Sequence, residues 1–299
     1  MAADPYHLDR KRVAAAFDRA AASYDKHAVL QRTVAERLAE RLEVMRLEPE
    51  WILDAGAGTG TGARLLRERY ARSRVLLVDF APGMLQTARR KARKWFSRER
   101  YLCADTAALP LPPASVDLVF SSLALQWSLD LDAACAELRR VLKPGGLLMF
   151  ATFGPDTLHE LRRSWAEVDR NVHVHAFMDM HDIGDALIRA GFSSPVLDVE
   201  RITLTYRDVY TLMRDLKNIG ASNASAGRAP GLTGRHALAS LQAAYEQHRA
   251  DGVLPATYEV VYGHGWAPER DTRPQDGSTV ATFPLSRLKR AHGRPGEPG

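Results

Sequence analysis

Three aspartates, Asp54, Asp79 and Asp105, each close a short apolar run, and after the first stand glycines at alternate positions, Gly56, Gly58 and Gly60, with Gly62 just beyond. A carboxylate at a strand end can accept hydrogen bonds from a ribose diol, and a glycine loop lets backbone approach a ligand closely. The spacing is GxGxG, not the GxGxxG of a dinucleotide fingerprint. Asp54, just ahead of the loop, would repel a pyrophosphate and suit a ligand carrying positive charge, such as an amino group or a sulfonium. That chemistry argues for S-adenosylmethionine over NAD.

The elements that must hold these residues alternate. Residues 51–53 and 75–78 read as strands, with a helical pattern through Ala63, Leu65, Leu66 and Tyr70 between them. Pro82 suits the first turn of a helix whose inner face is Met84, Leu85 and Ala88. Residues 101–104 form a third short strand and 116–120 a fourth. Ser121, Leu123, Gln126 and Trp127 follow its carboxyl end, where an open sheet binds ligands. An amphipathic helix over 133–141, a turn at Lys143-Pro144-Gly145-Gly146 and a strand over 147–153 complete an α/β pattern with a mainly parallel sheet.

Composition narrows the function classes. The chain has 299 residues, 45% hydrophobic and 26% charged, with a formal charge of +5 and a pI near 9.3. The positive charges are scattered among acids, which argues against nucleic acid and for an acidic partner or substrate. Cys103 and Cys135 imply no disulfide framework and read as buried free thiols. His173, His175 and His181 lack the spacing of a metal site. With no signal-like apolar segment and no membrane-length run, the expectation is a cytoplasmic protein.

The flanks differ in character. Residues 1–50 read as an arm of two helices, one on a short amphipathic pattern through 13–17 and 20–24 and the other on a better one over 29–42, with Phe17 and Tyr24 on a shared face. That face either pins the arm to the core or lies over the ligand, with Tyr24 bordering its pocket. On the other side, helices are expected over 158–168 and 179–190, then a strand over 196–206 with an antiparallel partner over 257–266. Between those strands, 207–255 holds helices over 209–217 and 236–249, a connection long enough to be a lid. Arg214, Lys217 and Arg228 there are either a solvated face or a clamp for a substrate carboxylate. The cluster Arg89, Arg90, Lys91, Arg93 and Lys94 is either a wet helix face or a landing patch for an acidic protein. The tail over 269–299 is rich in Pro, Gly and charge and is expected to be mobile, with 280–288 able to dock.

LDAGAGTG, VLLVDFAPGML, CADTAALPLPPASVDLVFSSLALQW and LRRVLKPGGLLMF resemble the successive motifs of the class I S-adenosylmethionine-dependent methyltransferases. The resemblance implies a Rossmann-like domain over 51–268, in which Asp79 takes the ribose hydroxyls and Asp105 the adenine amino group. Thr106 would lie along the adenine, Phe80 and Met84 beside the cofactor, Gly56 to Gly60 along its methionine part, and Ser121 with Leu123 on the sulfonium side. AAAFDRAAASYDKHAVLQR, SSLALQW and MRDLKNIGASNASAGR are similar to a narrower family, the malonyl-acyl-carrier-protein O-methyltransferases that open pimeloyl synthesis for biotin. The last block also resembles enzymes that assemble respiratory complex I. The narrower resemblance implies a monomer that methylates the free carboxylate of a malonyl group on an acidic carrier protein, with Tyr24, Gln126 and Trp127 lining the acceptor pocket. Open alternatives are a quinone-pathway or other small-molecule methyltransferase, a complex I assembly enzyme, or an assembly factor that keeps the fold without turnover.

Overall fold

A computed structural model describes residues 8–92, 97–223 and 233–269. Three helices come first where two were expected, α1 (Arg10–Ala20), α2 (Tyr24–His27) and α3 (Val29–Glu40), because a turn over 21–23 breaks the first pattern. Then β1 (Trp51–Ala55), α4 (Thr61–Arg69), β2 (Arg74–Asp79), α5 (Pro82–Lys91) and β3 (Glu99–Cys103) alternate. β4 (Val116–Ser122), α6 (Leu131–Val141), β5 (Leu142–Phe153), α7 (His159–Ala166) and α8 (Met180–Ala190) continue the chain. β6 (Ser193–Tyr206), α9 (Val209–Asn218), α10 (Arg235–Glu246) and β7 (Leu254–Trp266) close it. The seven strands lie in the order β3-β2-β1-β4-β5-β7-β6, and β7 runs antiparallel to both its neighbours. The mainly parallel sheet with an antiparallel last strand is therefore as expected. Because β2 lies on one side of β1 and β4 on the other, the order reverses there and opens a crevice at their carboxyl ends.

Local chemistry fixes where helices start and stop. Asp130, Asp179 and Asp208 each cap a helix by accepting backbone N–H groups, and Gly191 stops α8 in the left-handed conformation. The α5 terminus is capped from another helix: Asp18 accepts the Gly83 N–H at 2.7 Å. Leu30, Val34, Leu38 and Leu42 are buried in the same core as Ile52, Leu66 and Leu118. Each such side chain contributes roughly 1.5–3 kcal/mol. Within the expected arm, α3 thus belongs to the sheet's core, while α1 and α2 lie across the crevice.

Two expectations need correction. Lys143 to Gly146 does not separate a helix from a strand, because β5 runs through it. Gly145 donates to the Ala267 carbonyl at 2.8 Å and Ala267 to that of Gly146 at 2.8 Å, so the Pro-Gly-Gly kink is absorbed as an irregularity in the pairing with β4. Cys135 is buried, but Cys103 is exposed, since it ends the edge strand β3 and lacks a neighbour on one side. Arg93, Lys94, Arg228 and the tail with its 280–288 stretch lie outside the described residues.

Candidate active site

The crevice is shaped first by backbone. Gly56, Gly58 and Gly60 have φ of 80°, 52° and 84°, which side chains rarely adopt. At Gly56 space forbids one as well: a Cβ would stand 2.1 Å from that of Ala124, in the loop after β4. Gly60 departs from its expected role. It starts α4, and its missing Cβ admits Ala88 and Leu77 on the far side of the loop.

Two small cavities meet at Gly56. One, about 160 Å³, is lined by Asp79, Phe80, Asp105, Thr106, Ala107 and Trp127, and the other, about 130 Å³, by Asp54, Gly58, Thr59, Ser122 and Tyr24 among others. Asp79 accepts the N–H groups of Gly58 and Ala81, both at 2.8 Å, and burial pushes its pKa up to about 6. Asp54 is 2% exposed, its Oδ2 has no hydrogen-bond partner, and burial pushes it up to about 7. An acid raised in this way marks a site that gains from a bound cation. A ligand with an ammonium at one end and a ribose at the other fits these two carboxylates and the room between them.

Helix α1 closes over the first cavity. The Arg10 guanidinium pairs with Asp105, which also accepts the Ala107 N–H at 3.0 Å. The carboxylate expected to meet an adenine thus holds an arm cation. Met84 is buried beneath the arm, packed with Ala21 and Ala81 against Phe17, Tyr24 and Phe80. Ser121 is turned away from the crevice: it is fully buried and donates to the Ala55 carbonyl at 2.9 Å, tying β4 to β1. Ser122, one residue on, lines the cavity in its place.

A third cavity, about 730 Å³, lies beyond. Leu123, Gln126 and Trp127 line it from the loop after β4, together with Phe153, Phe177 and Tyr258. Leu123 takes φ of 51°, and the Gln126 amide holds that turn by donating to the Leu123 carbonyl at 2.8 Å and accepting from Thr152 at 3.2 Å. Trp127 also lines the Asp79 cavity, so one indole separates the two spaces. Tyr24 lines both this chamber and the Asp54 cavity. Burial, with Asp79 and Asp25 nearby, raises its pKa and keeps the phenol neutral.

Arm and lid meet over the chamber. Phe17 stacks edge-on against Trp127 (centroids 5.2 Å) and Phe80 (6.0 Å). Gly220, with φ of 77°, lets the turn after α9 lie on Phe17, where a Cβ would come within 2.9 Å of the ring. His27 of α2 is 3.4 Å from Asp215 and 3.3 Å from the Asn218 amide, both on α9. Lys217 lines the chamber with Met213 and Leu216, but Arg214, an exposed residue of the same helix, does not. A cation absent from the sequence reading, Arg19 of α1, lines it too. Its only signal was its place two residues after Phe17. Arg89 and Arg90 are exposed on α5, while Lys91 pairs with Asp25.

A family profile described as a methyltransferase domain matches residues 53–150. The malonyl-[acyl-carrier protein] O-methyltransferase of Laribacter hongkongensis is 54% identical over 289 residues, covering 94% of this chain and 97% of that one. The protein of the same name from Halorhodospira halophila is 55% identical over 265 residues, covering 88% and 90%. Among solved structures, the YcgJ protein of Bacillus subtilis aligns with a TM-score of 0.57 at 16% identity, over 79% of this chain and 99% of that one, a likeness of fold alone.

Proposed function

The chain belongs to the malonyl-[acyl-carrier protein] O-methyltransferase family, and on that premise we propose that it methylates the free carboxylate of a malonyl group carried by an acyl-carrier protein. The methyl ester so formed is the primer for pimeloyl synthesis on the way to biotin. When bound, S-adenosylmethionine supplies the methyl group on a sulfonium sulfur, which the acceptor oxygen displaces as a neutral thioether. Asp54 would hold the ammonium end of that cofactor and Asp79 the ribose, with Phe80 and Thr106 beside the base. Gly56 and Gly58 give the room.

The observation that carries this reading in the structure is the shared wall. Trp127 lines both the large chamber and the cavity that holds Asp79, so the space we assign to the acceptor lies against the carboxylate-lined crevice. A malonyl carboxylate is ionised at pH 7, so it needs orientation and exclusion of water but no general base. The neutral phenol of Tyr24 and the apolar chamber meet that need. Lys217, on the lid, draws the anionic acceptor in, and a cation there favours an acid over a quinone as the acceptor. The exposed Arg89 and Arg90 suit an acidic carrier, since opposite charge steers encounter. Among the described residues no helix is long and apolar enough to cross a membrane.

The test mixes the purified protein with methyl-labelled S-adenosylmethionine and malonyl-carrier protein. A base-labile methyl ester on the malonyl group, found by mass, is expected. Absence of the ester, or equal transfer to unrelated acids, would overturn the assignment.

A further inference from the structure

One polar group on the chamber wall has no part in the mechanism above. His175 sits between α7 and α8, with its ring against Trp127 (centroids 5.0 Å) and Phe177 (4.5 Å). The residue lines the chamber and is 7% exposed, and its Nε2 is buried without a hydrogen-bond partner. Its neighbour in sequence differs: His173 lies flat on Trp165 (3.6 Å) with Nε2 tied to Asp169 at 2.9 Å. Buried polar atoms are almost always paired, and one left unpaired is costly. Burial, reinforced by the Arg162 guanidinium, holds the His175 pKa down to about 4, so the ring is neutral at pH 7.

We propose, building on the function assigned in the preceding subsection, that the neutral His175 ring donates a hydrogen bond to the non-attacking oxygen of the acceptor carboxylate, beside the Trp127 wall, and thereby selects a carboxylate-bearing acyl group. The chemistry favours a neutral donor here. A guanidinium or ammonium in the same place would withdraw charge from the attacking oxygen and repel the sulfonium, whereas an uncharged N–H orients the carboxylate without either effect. The C–O bond forms as the C–S electron pair passes to sulfur and no proton moves, so His175 keeps its N–H throughout. Once the carboxylate has become an ester, the charge-assisted hydrogen bond weakens to an ordinary one, which favours departure of the product.

Two variants of the full chain separate chemistry from packing: His175→Phe keeps an aromatic ring and loses the N–H, and His175→Asn does the reverse. With malonyl-carrier protein, His175→Phe is expected to lower kcat/KM roughly 10- to 100-fold, and His175→Asn to stay within about five-fold of the parent. Calorimetric affinity of malonyl-carrier protein for the enzyme saturated with S-adenosylhomocysteine should follow the same order, while affinity for S-adenosylhomocysteine itself stays unchanged in both. A phenylalanine variant as active as the parent, equal losses in both variants, or a parallel loss of S-adenosylhomocysteine affinity would each overturn the role of His175. Failure of the parent enzyme to methylate malonyl-carrier protein while it still binds S-adenosylhomocysteine would overturn the assigned function, and this role with it.

Discussion

The two halves of the site are built by different means. On the cofactor side, shape comes from backbone: the left-handed Gly56 and Gly58, the ends of β1, β2 and β4, and carboxylates at the ends of strands or just past them. On the acceptor side, shape comes from side chains delivered by the arm, the β4 loop, the segment around His175 and the lid. The first half is built mostly from one sheet and the loops that leave its strands, with the arm laid over it through Arg10 and Tyr24. The second exists only once segments more than a hundred residues apart have packed together, as Phe17 does on Gly220. Damage to the first should spread to every measurement, and damage to the second should fall on one substrate.

Gly56→Ala is the severest test of that contrast. The new methyl meets Ala124 at 2.1 Å on a backbone with φ of 80°, and strain plus overpacking should cost about 2–5 kcal/mol. Denaturant titration should show that loss together with abolished cofactor binding; tolerance of the change would refute a backbone-built crevice.

A pH effect comes next. The folded pKa of Asp54 lies at about 7, above its ordinary 3.8. Its contribution to stability is therefore fully present below about 3.8 and is lost as pH rises through about 7 in the ligand-free protein. A cationic ligand favours the ionised acid, so cofactor affinity runs the opposite way. Calorimetry should show binding tightening by up to about ten-fold per pH unit between 6 and 7, then levelling. Below pH 6 Asp79 titrates as well, so Asp54→Asn should flatten the profile only between 6 and 7, and a profile still steep there would remove Asp54 from the ammonium site.

On the acceptor side the expected effects are smaller and selective. Lys217→Ala should raise KM for malonyl-carrier protein several-fold, about 1 kcal/mol for an exposed charge, with cofactor affinity unchanged. Arg214→Ala should leave both constants alone, and equal effects at the two positions would make them a common surface field. Ser121→Ala is the smallest change, roughly 1 kcal/mol of stability for one lost hydrogen bond, with steady-state kinetics unaltered.

This contrast also explains what the sequence made legible. Strand, glycine loop, helix and closing acid are local patterns, so β1 to β2, the mainly parallel sheet and the positions of Asp54, Asp79 and Asp105 could be read directly. Ser121 was misplaced because side chains alternate along a strand, and a shift of one residue exchanges the two faces. Gly60 was read with its neighbours because it shares their spacing, although its partner, Ala88, comes from another helix. Arg214 and Lys217 are three apart on α9, yet only Lys217 lines the chamber, and α9 is held by partners remote in sequence, His27 of α2 and Leu238 of α10. His175 had no local signal of its role. Trp127, against one side of its ring, comes from the loop after β4, and the burial that keeps it neutral appears only in three dimensions.

The Arg10–Asp105 ion pair bears on timing as well as on shape. A nucleoside leaving the Asp79 cavity must pass beneath α1, whose hold there includes one partly exposed pair of charges. Such a pair weakens as ions screen it. Dissociation of S-adenosylhomocysteine should therefore quicken with ionic strength, and inhibition by that product should ease as salt rises, even though no residue of the acceptor chamber takes part.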